Sequence, residues 1–538
     1  MFIIWAPPHI EKIWITTFEL EDLARLGGLG SAVRRHIDIL IRRGFKIRVF
    51  MPSHGRHFSD EILRRFSLRF VEDFKCCGVR KGVDGRDYPY CIGAYEGSFG
   101  EVYVTLFIGL DRETGMILDT WDIYSNLPEK VSLMIRGLKC WLEHTDERPD
   151  LLIGHDWHGG LAASFLRIMF EKEGLSIPFL YFIHLISGPS FPYHYISSEW
   201  TGFPLENIRV WRGWRHEYVN IKDLWDKYYG NTDLFNIDVA DAVATVSYGY
   251  SKEIIGRVGE WAVPKTCVVY NATDWNIDDV KKFLRARYGS DDRCEIRWRL
   301  YKDMIRYANP CIGHIEPGGF LIISGGRISG QKGFDILIRS LEHLDHRFKI
   351  LILGLRVGDV GYENYLRELA SKYFGRILVT CNNIDKIIYQ SFNYVANVVV
   401  VPSRYEPFGL ASIEAQAIGT PVVLSRIPGL SETAKDVRLD PEGTAVFFTP
   451  EDPMDLAISL KSLALITEAI DCKDHSLINE IPDPLLRNIA SYNIWHISKI
   501  RENCVSFVDK NFRDKNTENM LLECIEKSRV YSYYRSLI

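Results

Sequence analysis

Val398-Val399-Val400-Val401 runs into Pro402-Ser403-Arg404-Tyr405-Glu406-Pro407-Phe408-Gly409-Leu410, and then into Ala411-Ser412-Ile413-Glu414-Ala415-Gln416-Ala417-Ile418-Gly419-Thr420-Pro421-Val422-Val423. Four successive valines, apolar on both faces, mark a strand buried in a parallel sheet. The run breaks at Pro402, turns through Glu406 to Gly409, and passes into an alanine-rich helix that ends near Gly419. Glu406 therefore falls in a loop at a strand's carboxyl end, where open α/β sheets bind ligands. Glu414 follows eight residues later, inside the helix. Amides at a helix start hold anions while carboxylates take neutral hydroxyls, so the spacing fits a phosphorylated sugar, with Gly409 and Leu410 beside the anion. A strand and helix of any Rossmann-like domain, with two surface glutamates, accounts for the same residues.

A chain of 538 residues is too long for one core, and two domains are expected. The apolar fraction of 46% and charged fraction of 25% are those of a soluble globular protein. With a net charge of -5 and its basic residues scattered among acids, the chain offers no field for nucleic acid. Met1-Phe2-Ile3-Ile4-Trp5-Ala6 is apolar but short and lacks a basic flank, so it reads as a first buried strand and not as a secretory signal. No apolar window is long enough to span a membrane. Eleven cysteines are spread from Cys76 to Cys524 without Cys-x2-Cys pairs, Cys76-Cys77 being the one adjacent pair, which predicts reduced thiols in a cytoplasm. Only three glutamines occur, a lean toward a thermophilic source.

Glycines recur where a helix begins in Glu19-Leu20-Glu21-Asp22-Leu23-Ala24-Arg25-Leu26-Gly27-Gly28-Leu29-Gly30, and Ala32, Val33, Ile37, Leu40 and Ile41 continue with helical period. Gly27 and Gly28 let backbone amides approach a phosphate, and Arg25 adds a charge-assisted donor; a tight turn with a solvated arginine is the alternative. Asp150-Leu151-Leu152-Ile153-Gly154-His155-Asp156-Trp157-His158-Gly159-Gly160 puts Asp156 at a second strand end. His155 and His158 have no third ligand at zinc-site spacing, so no metal is expected there. Pro178 to Leu185 is a third strand, ending in His184. Trp200, Trp211, Trp214, Tyr218, Trp225, Tyr228 and Tyr229 crowd the segment from Phe191 to Tyr229. Their faces suit stacking on sugar rings, and equally a lid or an oligomer interface.

Phe320-Leu321-Ile322-Ile323-Ser324 opens a second set of strands and leads to Gly325-Gly326-Arg327-Ile328-Ser329-Gly330-Gln331-Lys332-Gly333. Two fixed cations at a strand-to-helix loop neutralise a departing diphosphate without a metal ion, and losing either would cost on the order of 3 kcal/mol of transition-state stabilisation. No Asp-x-Asp occurs to recruit a cation instead.

These motifs together resemble the retaining GT-B glycosyltransferases, the group that includes glycogen and starch synthases, here of the archaeal type. Glu-x7-Glu around Pro-Phe-Gly-Leu, with Gly-Thr-Pro-Val-Val after it, is similar to that family's donor-sugar motif. Glu19 six residues before Arg25-Leu26-Gly27-Gly28-Leu29 resembles its Lys-x-Gly-Gly-Leu turn, with arginine in the lysine's place. His155 to His158 matches His-Asp-Trp-His, and His184-Leu185 resembles Val-His-Asn with leucine for asparagine. Arg327 and Lys332-Gly333 match Arg-x4-Lys-Gly, while Ile427 to Thr433 resembles Gly-Gly-Leu-x-Asp-Thr with Pro428 for one glycine.

The resemblance implies a GT-B fold of the α/β class, two Rossmann-like domains facing across a deep cleft. An acceptor domain would span 1–275, a connection 276–318 and a nucleotide-sugar domain 319–515, with 516–538 a helix crossing back. It implies glucose transfer from ADP- or UDP-glucose to the 4-hydroxyl of an α-1,4-glucan with retention, without cofactor or metal. Arg327, Lys332, Glu406, His184 and Asp156 would be catalytic; Glu19, Arg25, Gly27, Gly28, Glu414, Gly409, Leu410, Gly429 and Leu430 would hold the donor. A sucrose- or trehalose-type transferase and a catalytically lapsed sugar-nucleotide binder are the alternatives. Oligomeric state is left open.

Overall fold

The computed structural model describes residues 9–204, 207–212, 215–492 and 497–537. The chain divides into two compact units, Met1–Tyr270 with Thr517–Ile538, and Asn271–Asn516. Met1 to Ala6, expected as the first strand, lies outside the described residues; the strand that precedes the glycine turn is Lys12–Thr16.

In the first unit a parallel sheet runs Thr266–Val268, Ala242–Thr245, Phe179–Ile183, Leu151–His155, Lys12–Thr16, Lys46–Pro52 and Val102–Gly109. Asp87–Phe99 then pairs antiparallel with Val102–Gly109. The inner strands Phe179–Ile183 and Leu151–His155 are buried at every position, which is why they read as continuous apolar runs. From Lys12–Thr16 the chain moves to Lys46–Pro52 on one side and returns to Leu151–His155 on the other, so the strand order reverses at Lys12–Thr16. Such a reversal opens a crevice at the carboxyl ends of the two strands that flank it. Helix Gly28–Arg42 buries Leu29, Ala32, Val33, Ile37 and Leu40, the stripe its periodicity predicts.

The second unit repeats the plan with seven described strands in the order Pro310–Ile315, Arg376–Thr380, Phe348–Leu355, Phe320–Arg327, Val398–Val401, Val422–Ser425, Ala445–Phe448. All but the first pairing are parallel. Here the order reverses at Phe320–Arg327, which has Phe348–Leu355 on one side and Val398–Val401 on the other. The two carboxyl ends at this reversal carry Arg327 and the Pro402–Glu406 turn.

Residues 276–318, expected as a connection, belong to the second unit. Helix Ile277–Tyr288 buries Val280 and Leu284, whereas helix Arg293–Met304 looks solvated in the sequence because Arg293 and Arg297 occupy its inner face. Arg293 is buried with its guanidinium on the Ile418 carbonyl (2.7 Å) and the Thr420 hydroxyl (3.0 Å), and Arg297 reaches the Val395 carbonyl at 2.8 Å. Helix Asp514–Ser536, from Thr517 on, belongs to the first unit, where Arg535 pairs with Asp241 (2.7 Å), both almost fully buried.

The expectation of reduced thiols is also overturned. Cys76–Cys140, Cys77–Cys91, Cys267–Cys524, Cys294–Cys472 and Cys311–Cys381 are disulfides, and only Cys504 is free. Their partners stand 14 to 257 residues apart, so no local spacing announces them. Among the described residues no helix is long and apolar enough to cross a membrane.

Candidate active site

The second unit brings two loops together. After Phe320–Arg327 the chain makes a single 3-10 turn, Gly330–Lys332, and at Gly333 adopts φ +64°, from which helix Phe334–Ser340 starts. Gly333 has no tolerable substitute, because a Cβ there would drive into the Pro402 carbonyl of the neighbouring turn. The loops are tied by backbone as well: Arg404 N–H donates to the Gln331 carbonyl at 2.9 Å, and the Gln331 amide donates to the Tyr405 carbonyl at 2.9 Å. The Arg404 guanidinium then donates to Gly330 O at 2.7 Å and forks onto both Asp335 oxygens at 2.8 and 2.9 Å. Burial pushes the Asp335 carboxyl up, but the Arg404 and Tyr362 hydrogen bonds outweigh it and hold it below the usual carboxylate range. Sequence reasoning gave Arg404 no role; its neighbours in the motif were the only signal.

That scaffold sets Lys332 Nζ 2.6 Å from Glu406 Oε2, which also accepts the Ser403 hydroxyl at 3.2 Å. Both side chains are mostly shielded, 18% and 14% exposed. Arg327 stands partly exposed at the strand end and has no ion-pair partner among the described residues. Gly409, at φ +113°, precedes helix Leu410–Ala417, and a Cβ on Gly429 would strike the Glu406 carbonyl, so the Gly429–Leu430 turn packs directly on the Glu406 loop. Glu414, half-buried in that helix, acts on the hydroxyl of the half-buried Tyr389, which desolvation first and this charge second push upward. The expected donor groups of this unit thus gather at one topological reversal.

In the first unit Glu19 takes a different part from the one expected. Its carboxylate accepts from the amides of Leu26 (2.9 Å) and Gly27 (3.1 Å) and from the Tyr124 hydroxyl (2.5 Å). Glu19 is therefore a clamp on the turn, and it occupies one of the amides, Gly27's, that the sequence offered to phosphate. Arg25, half exposed, pairs with Glu21 at 2.6 Å and donates to Gly27 O at 3.1 Å. Gly28 begins the helix.

Asp156 has φ +51°, uncommon for a residue with a side chain. Its Oδ1 accepts from the amides of His184 (2.7 Å) and Leu185 (3.1 Å), which joins the two strand ends. Burial pushes this carboxyl up to about 8 even though both amides pull it down. His184 Nε2 lies 3.0 Å from His155 Nδ1, and burial keeps both rings well below the usual histidine range. His158 is a core residue: it stacks on Phe18 at 4.4 Å and accepts the Gly159 amide at 2.9 Å. Of the expected sugar-stacking aromatics, Trp200 and Trp225 are core too, the latter donating to the Phe191 carbonyl at 3.1 Å. Tyr228 bonds Asp238, Trp211 stacks on Tyr531 and Tyr534, and Trp214 lies outside the described residues. Tyr218 and Tyr229 are exposed.

Residues 12–262 match the starch synthase catalytic domain model, and residues 312–470 match glycosyl transferases group 1. The chain is a glycosyltransferase with a starch synthase catalytic domain followed by a group 1 glycosyl transferase domain. It is similar to the glycogen synthase of Hydrogenovibrio crunogenus, 25% identical with 82% of this chain and 89% of that one covered. The glycogen synthase of Thermotoga maritima is 22% identical over 83% and 89%. In fold it is similar to the catalytic domain of starch synthase IV from Arabidopsis thaliana bound to ADP and acarbose, with TM-score 0.70, 15% identity, and 97% and 100% of the two chains covered. The two models thus fall one in each unit, and the glycogen synthase relatives cover most of the chain.

Proposed function

We propose that this enzyme moves glucose from ADP- or UDP-glucose to the 4-hydroxyl of an α-1,4-glucan, with retention of configuration. The observation that carries it is the contact of Lys332 with Glu406, on loops that leave the two strand ends at which the second sheet reverses, one of those strands ending in Arg327. As the glycosidic bond breaks, the leaving diphosphate gains negative charge, and Arg327 and Lys332 stabilise it where it forms. Glu406 accepts from glucose hydroxyls, Glu414 from the ribose, and the amides of Gly409, Leu410, Gly429 and Leu430 contact phosphate. In the first unit the Asp156 oxygen that faces no amide and His184 serve the sugar, with Arg25 released from Glu21 to reach phosphate. The leaving phosphate itself takes the acceptor's proton, so no separate base is assigned. We place the protein in a thermophile's cytoplasm, where disulfide-rich intracellular proteins are found.

Labelled ADP-glucose and UDP-glucose, each incubated with glycogen and with free glucose, test this. Label is expected in the polymer. Label confined to a disaccharide, or nucleotide binding without turnover, would overturn it.

A further inference from the structure

The His155–His184 pair has a third member that no sequence spacing offers. His36, on helix Gly28–Arg42, brings a ring nitrogen within 4.8 Å of nitrogens on the other two. The ring centroids are 5.3 Å apart for His155 and His184, 5.7 Å for His36 and His155, and 5.9 Å for His36 and His184; each pair of planes is within 30° of parallel. This is a nearly equilateral triangle. A point equidistant from the three centroids lies about 3.3 Å from each, which leaves about 2 Å to a ring nitrogen turned inward, the length of a zinc–imidazole bond.

Phe182 floors the triangle. Its centroid is 4.5, 4.6 and 5.4 Å from those of His184, His36 and His155, with planes tilted by 17 to 41°. One face is therefore closed by an aromatic ring, and the approach is on the side of His184, the half-buried member, since His36 and His155 are 2% and 1% exposed. As an apolar core the arrangement is poor. The three rings share one hydrogen bond, His155 Nδ1 to His184 Nε2, while His36 Nδ1 and His155 Nε2 are buried without a partner. Leucine or phenylalanine would fill the same volume without that desolvation cost. Three converging imidazoles are instead the ligand set for a divalent ion of the zinc class.

We propose that His36, His155 and His184 bind one such ion, which fixes the ring of His184 at its strand end. The site lies wholly in the first unit and stands whether or not the enzyme transfers glucose. The full chain, stripped by dialysis against a chelator, would be titrated with cobalt(II) and then zinc, with metal content read after gel filtration. One equivalent per chain is expected, with the visible absorption of nitrogen-ligated cobalt, bleached by zinc. His36→Leu should lose both the stoichiometric metal and the absorption while keeping a cooperative thermal transition, and His158→Gln should keep both. Absence of stoichiometric metal in the wild type overturns the proposal, as does His36→Leu binding like wild type. If His36→Leu does not fold, the wild-type spectrum decides: sulfur-to-cobalt charge transfer, marking a cysteine site, overturns it as well.

Discussion

Lys332 and Glu406 are each other's partner before any substrate arrives, at 2.6 Å and with little exposure. A pair so placed has two uses: it pre-aims the ammonium, and it leaves the carboxylate's second oxygen for a hydroxyl. Hydrogen bonds to charged groups are worth roughly 1.5–3 kcal/mol, so Glu406→Gln should lower kcat/KM by about ten- to a hundredfold. Its stability should fall as well, by ~1–3 kcal/mol, because the mostly shielded Lys332 loses its counter-charge, and urea unfolding beside steady-state kinetics checks both. His158 makes a prediction about pH. Burial pushes its imidazole down to about 3, so the folded state leaves it neutral between pH 3 and 6.5 while the unfolded chain protonates it. Its stabilising contribution is complete above pH 6.5 and is lost as pH falls. In His158→Gln the slope of unfolding free energy against pH between 4 and 6 should be shallower by about 1.4 kcal/mol per pH unit, whatever the variant's overall stability. An unchanged slope would mean that His158 carries its proton in the fold.

At the scale of elements, the site is two loops that fit because glycines let them. A Cβ on Gly429 meets the Glu406 carbonyl, a backbone atom with nowhere to go. Gly429→Ala should therefore cost ~1–3 kcal/mol in urea and shift Glu406 enough to depress kcat, although residue 429 itself touches no reacting bond. A variant with wild-type kcat would show that the two loops move independently. The strand Val398–Val401 and the helix Leu410–Ala417 were legible because a both-faces-apolar run and a breaker are local signals. The Gly27–Gly30 turn was legible for the same reason. Lys12–Thr16 was not, because the more apolar Met1–Ala6 drew the strand assignment away from a segment that starts with lysine. Helix Arg293–Met304 reads as part of a connection because buried arginine looks like solvated arginine until the carbonyls that receive it are known. Glu19's role as a clamp depends on Tyr124, 105 residues on, and His36's place beside His184 depends on how one helix lies across a sheet. Such long-range pairings leave no trace in spacing.

For the molecule as a whole, cross-links supply what the composition did not announce. Cys267–Cys524 closes 257 residues and fastens the C-terminal helix within the first unit. Cys267→Ser should cost ~2–5 kcal/mol, through the entropy a long loop regains on unfolding, and should lower the melting temperature of the otherwise oxidised protein. Calorimetry of the wild type and the variant, both without reductant so that the other four disulfides stay closed, reads this directly; an unchanged melting temperature would place the helix's hold in Arg535–Asp241 and its packing. Both units reverse strand order, at Lys12–Thr16 and at Phe320–Arg327, and chemistry is expected where those reversals lie. The decisive measurement is kcat for label transfer from nucleotide-glucose to glycogen by Arg327→Ala and Lys332→Ala, each shown to be folded. A fall of about a hundredfold or more in each is expected, since both cations act on charge that appears only as the bond breaks. Turnover close to wild type in either variant would contradict the assignment of these two residues to the leaving diphosphate.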